Sequence, residues 1–129
     1  MKISYDKDID YMEIFIVKAE NYGESLDDFT TVFKSEKNDE IVGFAFENAT
    51  KSVFESNVLH LTTKLAAMLK IVRAINDLTQ EEAATRIGNI TLRHYQRLEA
   101  GEDTTLKTLE RITQAFPNQD FSRIFKKSA

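Results

Sequence analysis

The chain has 129 residues, 42% hydrophobic and 29% charged, with one proline and no cysteine, which sets it among folded chains of one domain or two small ones. Without cysteine there is no disulfide framework, thiolate nucleophile or thiolate metal site. No apolar run approaches the roughly 18 residues that span a bilayer, and the start Met1-Lys2-Ile3-Ser4-Tyr5-Asp6 lacks the apolar core of a signal peptide, so the expected address is the cytoplasm, with no membrane partner. The net charge of −4 is uneven. Residues 1–61 carry 6 Lys/Arg against 13 Asp/Glu, and residues 62–129 carry 11 against 8. Such asymmetry suggests two jobs, one of them facing a polyanion.

Four strands are predicted first, over 3–5, 11–17, 29–34 and 41–47, runs rich in β-branched and aromatic residues. Residues 35–40 are polar and carry Asn38-Asp39, the chemistry of a hairpin loop. In the last strand Val42, Phe44 and Phe46 share one face. Gly43 and Ala45 keep the other face thin, open to close approach by a helix or a second copy. Phe29 and Phe33 are expected to complete the same core. Near Lys51 the period changes, and Leu61, Leu65, Leu69, Val72 and Ile75 or Asn76 recur at helical spacing until Asn76-Asp77 ends the stripe.

Thr79-x-x-Glu82 is a capping box that opens the next helix, and Gly88 suits the left-handed position that ends it. Thr91 caps a third helix, which Gly101 ends. After Thr104-Thr105 a fourth helix turns Leu106, Leu109, Ile112 and Phe116 inward. Pro117 stops it, and Phe121, Ile124 and Phe125 predict a short fifth helix returning to the core. The fold class is therefore α+β. A small antiparallel β-sheet domain covers 1–55, a linker or helix start 56–61, and an all-α five-helix domain 62–129.

Residues 78–101 place two short capped helices around a tight glycine turn. A helix about 10–12 Å across fits the major groove of DNA, so the second helix of such a pair can reach base edges. Leu92, Arg93, Gln96 and Arg97 face outward on it, with Tyr95 and Leu98 inward. Arginine can bond guanine O6 and N7 together, and Leu92 can touch a thymine methyl. Gln80, with free backbone amides beside it, is suited to a phosphate. With Asn89 and Thr91 in and after the turn, these seven residues form the candidate DNA-binding set.

Leu78-Thr79-Gln80-Glu81-Glu82-x-Ala84, Ile87-Gly88, Leu98-Glu99-x-Gly101 and Leu106-x-x-Leu109-x-x-Ile112 resemble the lambda Cro and cI repressor family, also called the xenobiotic-response-element type, over about residues 65–125. The resemblance implies a lambda-repressor-like helix-turn-helix fold, with Gln80 on phosphate, Leu92, Arg93 and Arg97 toward bases, and Glu99 in a structural or positioning role. The turn Gly88-Asn89-Ile90 is one residue longer than the commonest form. Glu102-Asp103 stands where many relatives are basic, and the modest affinity this implies favours a homodimer on a double-stranded operator.

In the first half, Tyr5-Asp6-x-x-x-Asp10-Tyr11-Met12-x-Ile14, with Glu40-Ile41-Val42-Gly43-Phe44 and Asn48-Ala49, resembles a small β-rich domain family of unknown function linked to toxin–antitoxin operons. The resemblance implies an antitoxin role, and the acidic charge would suit a small basic toxin as partner. Asp6-x-Asp8-x-Asp10 does not make a calcium loop, because Tyr11 and Val17 stand where glycine and glutamate are required. Asp6 or Asp10 is instead expected to accept backbone amides in the turn. His60 and His94 lack zinc spacing, Asp27-Asp28 carries no weight in so acidic a half, and no catalytic constellation is found. No enzyme activity, metal or cofactor is expected. The expected function is a DNA-binding repressor acting as the antitoxin of a toxin–antitoxin pair. The alternative is a free-standing regulator whose sheet dimerises or senses a ligand.

Overall fold

The computed structural model describes residues 1–125; the last four residues of the predicted 62–129 span lie outside the described residues. Five strands, β1 (Lys2–Asp6), β2 (Tyr11–Phe15), β3 (Asn21–Ser25), β4 (Thr30–Ser35) and β5 (Ile41–Phe46), form one antiparallel sheet in the order β1-β2-β5-β4-β3. Alternation along each strand and register between them build one apolar face. Ile3 pairs with Ile14, Ile14 with Phe44 and Phe44 with Val32, and Met12 pairs with Phe46 in the next row. The polar 35–40 segment is the expected hairpin loop: Ser35 N–H donates to Glu40 O at 2.8 Å, and Asp39 adopts φ 59°.

Three expectations for the sheet are corrected. β3 is a strand that its polar sequence does not announce, because as an edge strand it is held by backbone bonds to β4 and buries almost nothing. Phe29 precedes β4 and is 48% exposed. Phe33 lies on the face opposite Val32, stacked on Phe15 with centroids 5.1 Å apart. The thin position at Gly43 is thereby filled from within the sheet. A Cβ there would stand 2.7 Å from both Ile14 O and Phe15 Cδ1, so only glycine lets the ring lie flat across β5.

The helices are α1 (Ala49–Glu55), α2 (Leu61–Ile75), α3 (Gln80–Ile87), α4 (Leu92–Glu99) and α5 (Leu106–Ala115), followed by a 3-10 turn over Phe121–Phe125. The short α1 falls within the 1–55 span expected to be β-sheet. Asp10, in the β1–β2 turn with φ 49°, ties it down. Its carboxylate accepts from Tyr5 Oη at 2.8 Å, Thr50 Oγ1 at 2.7 Å and Thr50 N at 3.1 Å, and its carbonyl accepts from Ala49 N at 2.9 Å. Asp6 accepts from Asp8 N at 2.9 Å. The tyrosine–aspartate motif is thus a structural latch between a turn and a helix start. Burial, then Asp10, pushes the Tyr5 phenol well above its ordinary range.

Six consecutive residues of α2, from Lys64 to Leu69, are buried. Six residues exceed one helical turn, so this helix is enclosed on all sides, which places it between two layers. It packs on β1 and α1 on the one hand and on α4 and the 3-10 turn on the other. One apolar cluster accordingly runs unbroken from Ile3, Ile14 and Phe44 through Leu65 and Leu69 to Tyr95 and Leu98. The Lys64 ammonium donates to Phe54 O at 3.2 Å, and burial lowers its pKa. Two inward assignments fail: Leu106, the first residue of α5, is 84% exposed, and Phe125 is 54% exposed. In both cases the residue stands at an element end, where the chain has turned past the core.

Candidate nucleic-acid interface

Local chemistry makes the α3–α4 unit. Thr79 Oγ1 accepts from Glu82 N at 3.1 Å and the Glu82 carboxylate accepts from Thr79 N at 3.0 Å, so the capping box is complete. These bonds to Thr79 hold the Glu82 carboxyl below its ordinary range. Gly88 (φ 77°) and Asn89 (φ 58°) then turn the chain through two successive positive-φ residues. A Cβ on Gly88 would meet nothing within 4 Å, so its backbone angle alone selects glycine. Thr91 Oγ1 caps α4 by accepting from His94 N at 3.0 Å, and Gly101 (φ 86°) follows its end.

α4 buries Tyr95, Leu98 and Glu99 and leaves Leu92, Arg93, Gln96 and Arg97 exposed. Positions 92, 93, 96 and 97 lie on one helical face, with Asn89 and Thr91, both exposed, at its leading end. Gln80 opens α3, half-buried, and its side chain reaches across to α4. The structure therefore brings six of the seven candidates onto or beside one face and joins the seventh to it through Gln96. Arg97 Nε stands 3.9 Å from Glu102 Oε2, an exposed pair of a kind worth little.

Behind this face lies a polar centre for which the sequence singled out Glu99 alone. The Glu99 side chain is 3% exposed. Its Oε2 accepts from Arg73 Nε at 2.6 Å, and Oε1 accepts from Arg73 Nη2 at 3.0 Å and Gln80 Nε2 at 3.2 Å. Lys70 Nζ stands 3.8 Å from Oε1. Arg73 also donates to Leu78 O at 3.1 Å. Burial pushes the Glu99 carboxyl up, but the Arg73 guanidinium and its other donors outweigh it and hold the group below its ordinary value. Gln80 Oε1 in turn accepts from Gln96 Nε2 at 3.2 Å. A carboxylate beside Leu98 on the buried side of a helix demands a cation, which is the one sequence signal for Arg73.

Two other arginines are occupied structurally. Arg86 covers the Phe116 ring and Arg123 the Phe54 ring, each 4.8 Å from the centroid, and Arg123 donates to Thr50 O. Among the described residues no group of three or more His, Cys, Asp or Glu side chains is placed to hold a metal ion, and no helix is long and apolar enough to cross a membrane. No curated protein and no solved structure matches the chain. Residues 69–118, from the middle of α2 to just past α5, match the helix-turn-helix family; this segment is a helix-turn-helix domain and supports a DNA-binding transcription regulator.

Proposed function

We propose that the protein is a sequence-specific transcriptional repressor that binds its operator as a homodimer, with α4 in the major groove. The observation that carries this reading is the row Leu92, Arg93, Gln96 and Arg97, exposed on a helix capped at its start and fixed from behind by Glu99 and Arg73. Asn89, Thr91 and Gln80 stand where the turn and the start of α3 meet the phosphate backbone. Two copies suit half-sites about 34 Å apart and make up for the acidic Glu102-Asp103 beside the reading face. In fluorescence anisotropy on a selected operator, Arg93→Ala and Arg97→Ala should each lose ~1–3 kcal/mol of specific binding and relax preference at one base position. Operator binding at wild-type strength by both variants sinks the assignment of α4.

The acidic first half supports a second part of the proposal. Its 13 carboxylates against 6 cations over residues 1–61 favour a basic protein partner, which in the antitoxin reading is a small toxin neutralised through the sheet. The alternative, a free-standing regulator, needs no such partner. Affinity capture with the full chain from its host separates the two: a small basic protein retained at low salt supports the antitoxin, and DNA without any protein partner supports the free-standing regulator.

A further inference from the structure

One buried charge serves neither the sheet nor the α3–α4 unit. Lys64, one turn into α2, is 6% exposed, and lysine is almost never so buried unless paired. Among the described residues no ion pair joins it to a carboxylate. Its ammonium has three N–H donors. One goes to Phe54 O, a carbonyl at the end of α1, which leaves two. Burial is the sole cause of its lowered pKa, with no neighbouring charge to oppose it.

Lys64 lines a cavity of about 300 Å³ between the α1–α2 connection and the 3-10 turn, the lower end of the size range of small-molecule sites. Leu59, Leu61, Ile124 and Phe125 give it apolar walls, and Leu61 and Phe125 are exposed. Ser56, also in the lining, accepts from Val58 N at 3.2 Å through Oγ, so its O–H remains to donate. Hydroxyl and ammonium donors among hydrocarbon walls call for an acceptor that carries one negative charge and an apolar body. A polyanion would bring charge that such walls cannot solvate, and a neutral hydrocarbon would leave the ammonium without a counter-ion. We propose that this cavity binds a small amphipathic monocarboxylate, with its carboxylate on Lys64 and Ser56 and its hydrocarbon on Leu61 and Phe125. The site goes beyond the reading of α4 and stands without it.

The test is titration of the full-length protein with octanoate, with octan-1-ol as the neutral control and acetate as the bare anion. Octanoate should raise the melting temperature by roughly 10 °C at a hundredfold excess over Kd, and the two controls at equal concentration by far less. In amide NMR spectra the perturbed signals should be those of Ser56, Leu61, Lys64 and Ile124. Lys64→Met keeps the length of the side chain and removes the charge. It should lose octanoate affinity by about 10- to 100-fold and bind octan-1-ol no more weakly than wild type. Leu61→Gln changes an exposed wall position, should also weaken octanoate, and keeps the test usable if Lys64→Met does not fold. Octan-1-ol binding as tightly as octanoate, or undiminished octanoate binding by Lys64→Met, overturns the role of the ammonium. Acetate acting as strongly as octanoate overturns the amphipathic class. No octanoate binding, undiminished binding by Leu61→Gln, or perturbed signals centred elsewhere overturns the site.

Discussion

Replacing Glu99 with methionine removes the carboxylate that faces Arg73 and strands an arginine whose side chain is 20% exposed. Breaking a buried pair from one side costs about 3–5 kcal/mol, because the remaining charge keeps its desolvation penalty and loses its partner. Chains of this size hold about 5–15 kcal/mol in total, so the loss is a large share. At about 4 °C per kcal/mol it lowers the melting temperature by roughly 12–20 °C. Arg73→Met should cost less, because Lys70 and Gln80 still face the carboxylate. The double variant should recover most of the loss, since two methionines fill the space without a charge to desolvate. Calorimetric melts of the four proteins complete the cycle. Two single variants each within about 1 kcal/mol of wild type would mean that the pair behaves as an exposed one, and the buried-pair reasoning fails. The pH dependence has a definite sign. Glu99 is held below its ordinary value of 4.5 in the folded state, so its stabilisation is present above that value and is lost as pH falls through the lower folded one. The advantage of wild type over Glu99→Met should shrink on acidification.

Three further outcomes are expected. Asp10→Ala removes the acceptor for Tyr5 and Thr50 and should cost about 1–3 kcal/mol in urea denaturation; no loss means the latch is idle. Gly43→Ala forces a Cβ to within 2.7 Å of Ile14 O and Phe15 Cδ1, which should cost about 1–3 kcal/mol by overpacking, read as a lower melting temperature. A fragment of residues 62–129 exposes the side of α2 that the sheet and α1 cover, where each large side chain is worth about 1.5–3 kcal/mol. It should show helical circular dichroism without a cooperative melt, and a sharp transition near that of the full chain overturns the expectation.

The helix-turn-helix was legible because its signals are local. Thr79, Glu82, Thr91 and Gly101 act on backbone atoms within four residues of themselves, and each does in the structure what its chemistry implies; Gly88 ends α3 at positive φ but with ψ 150°, outside the left-handed region expected of it. Features that depend on distant strands were not legible. The four-residue spacing of Phe29 and Phe33 put them on one side, but the register with β5 decides which side is the core, and it places Val32 beside Phe44. Asn21-Tyr22-Gly23-Glu24-Ser25 has no period to read, because an edge strand covered by nothing needs none. α1 is only seven residues long, and its buried Ala49, Val53 and Phe54 are too few to declare a helical stripe. Arg73 finds Glu99 across 26 residues; the buried position of Glu99 beside Leu98 calls for a cation, but nothing in the sequence says which one.

The same long-range packing joins the two halves. Lys7, in the β1–β2 turn, donates to Asp77 at 3.0 Å and to Ala74 O at 3.3 Å, so the sheet touches the chain between α2 and α3. Both side chains of that ion pair are substantially exposed, and such a clasp contributes little energy. The strong connection is α2 itself, whose apolar residues are held in the shared cluster while Arg73, one turn from its end, holds Glu99 on α4. A close-packed helix moves as a unit. A substitution or partner that shifts α2 on the sheet side therefore shifts Arg73, and with it the carboxylate that orients Gln80 and Gln96.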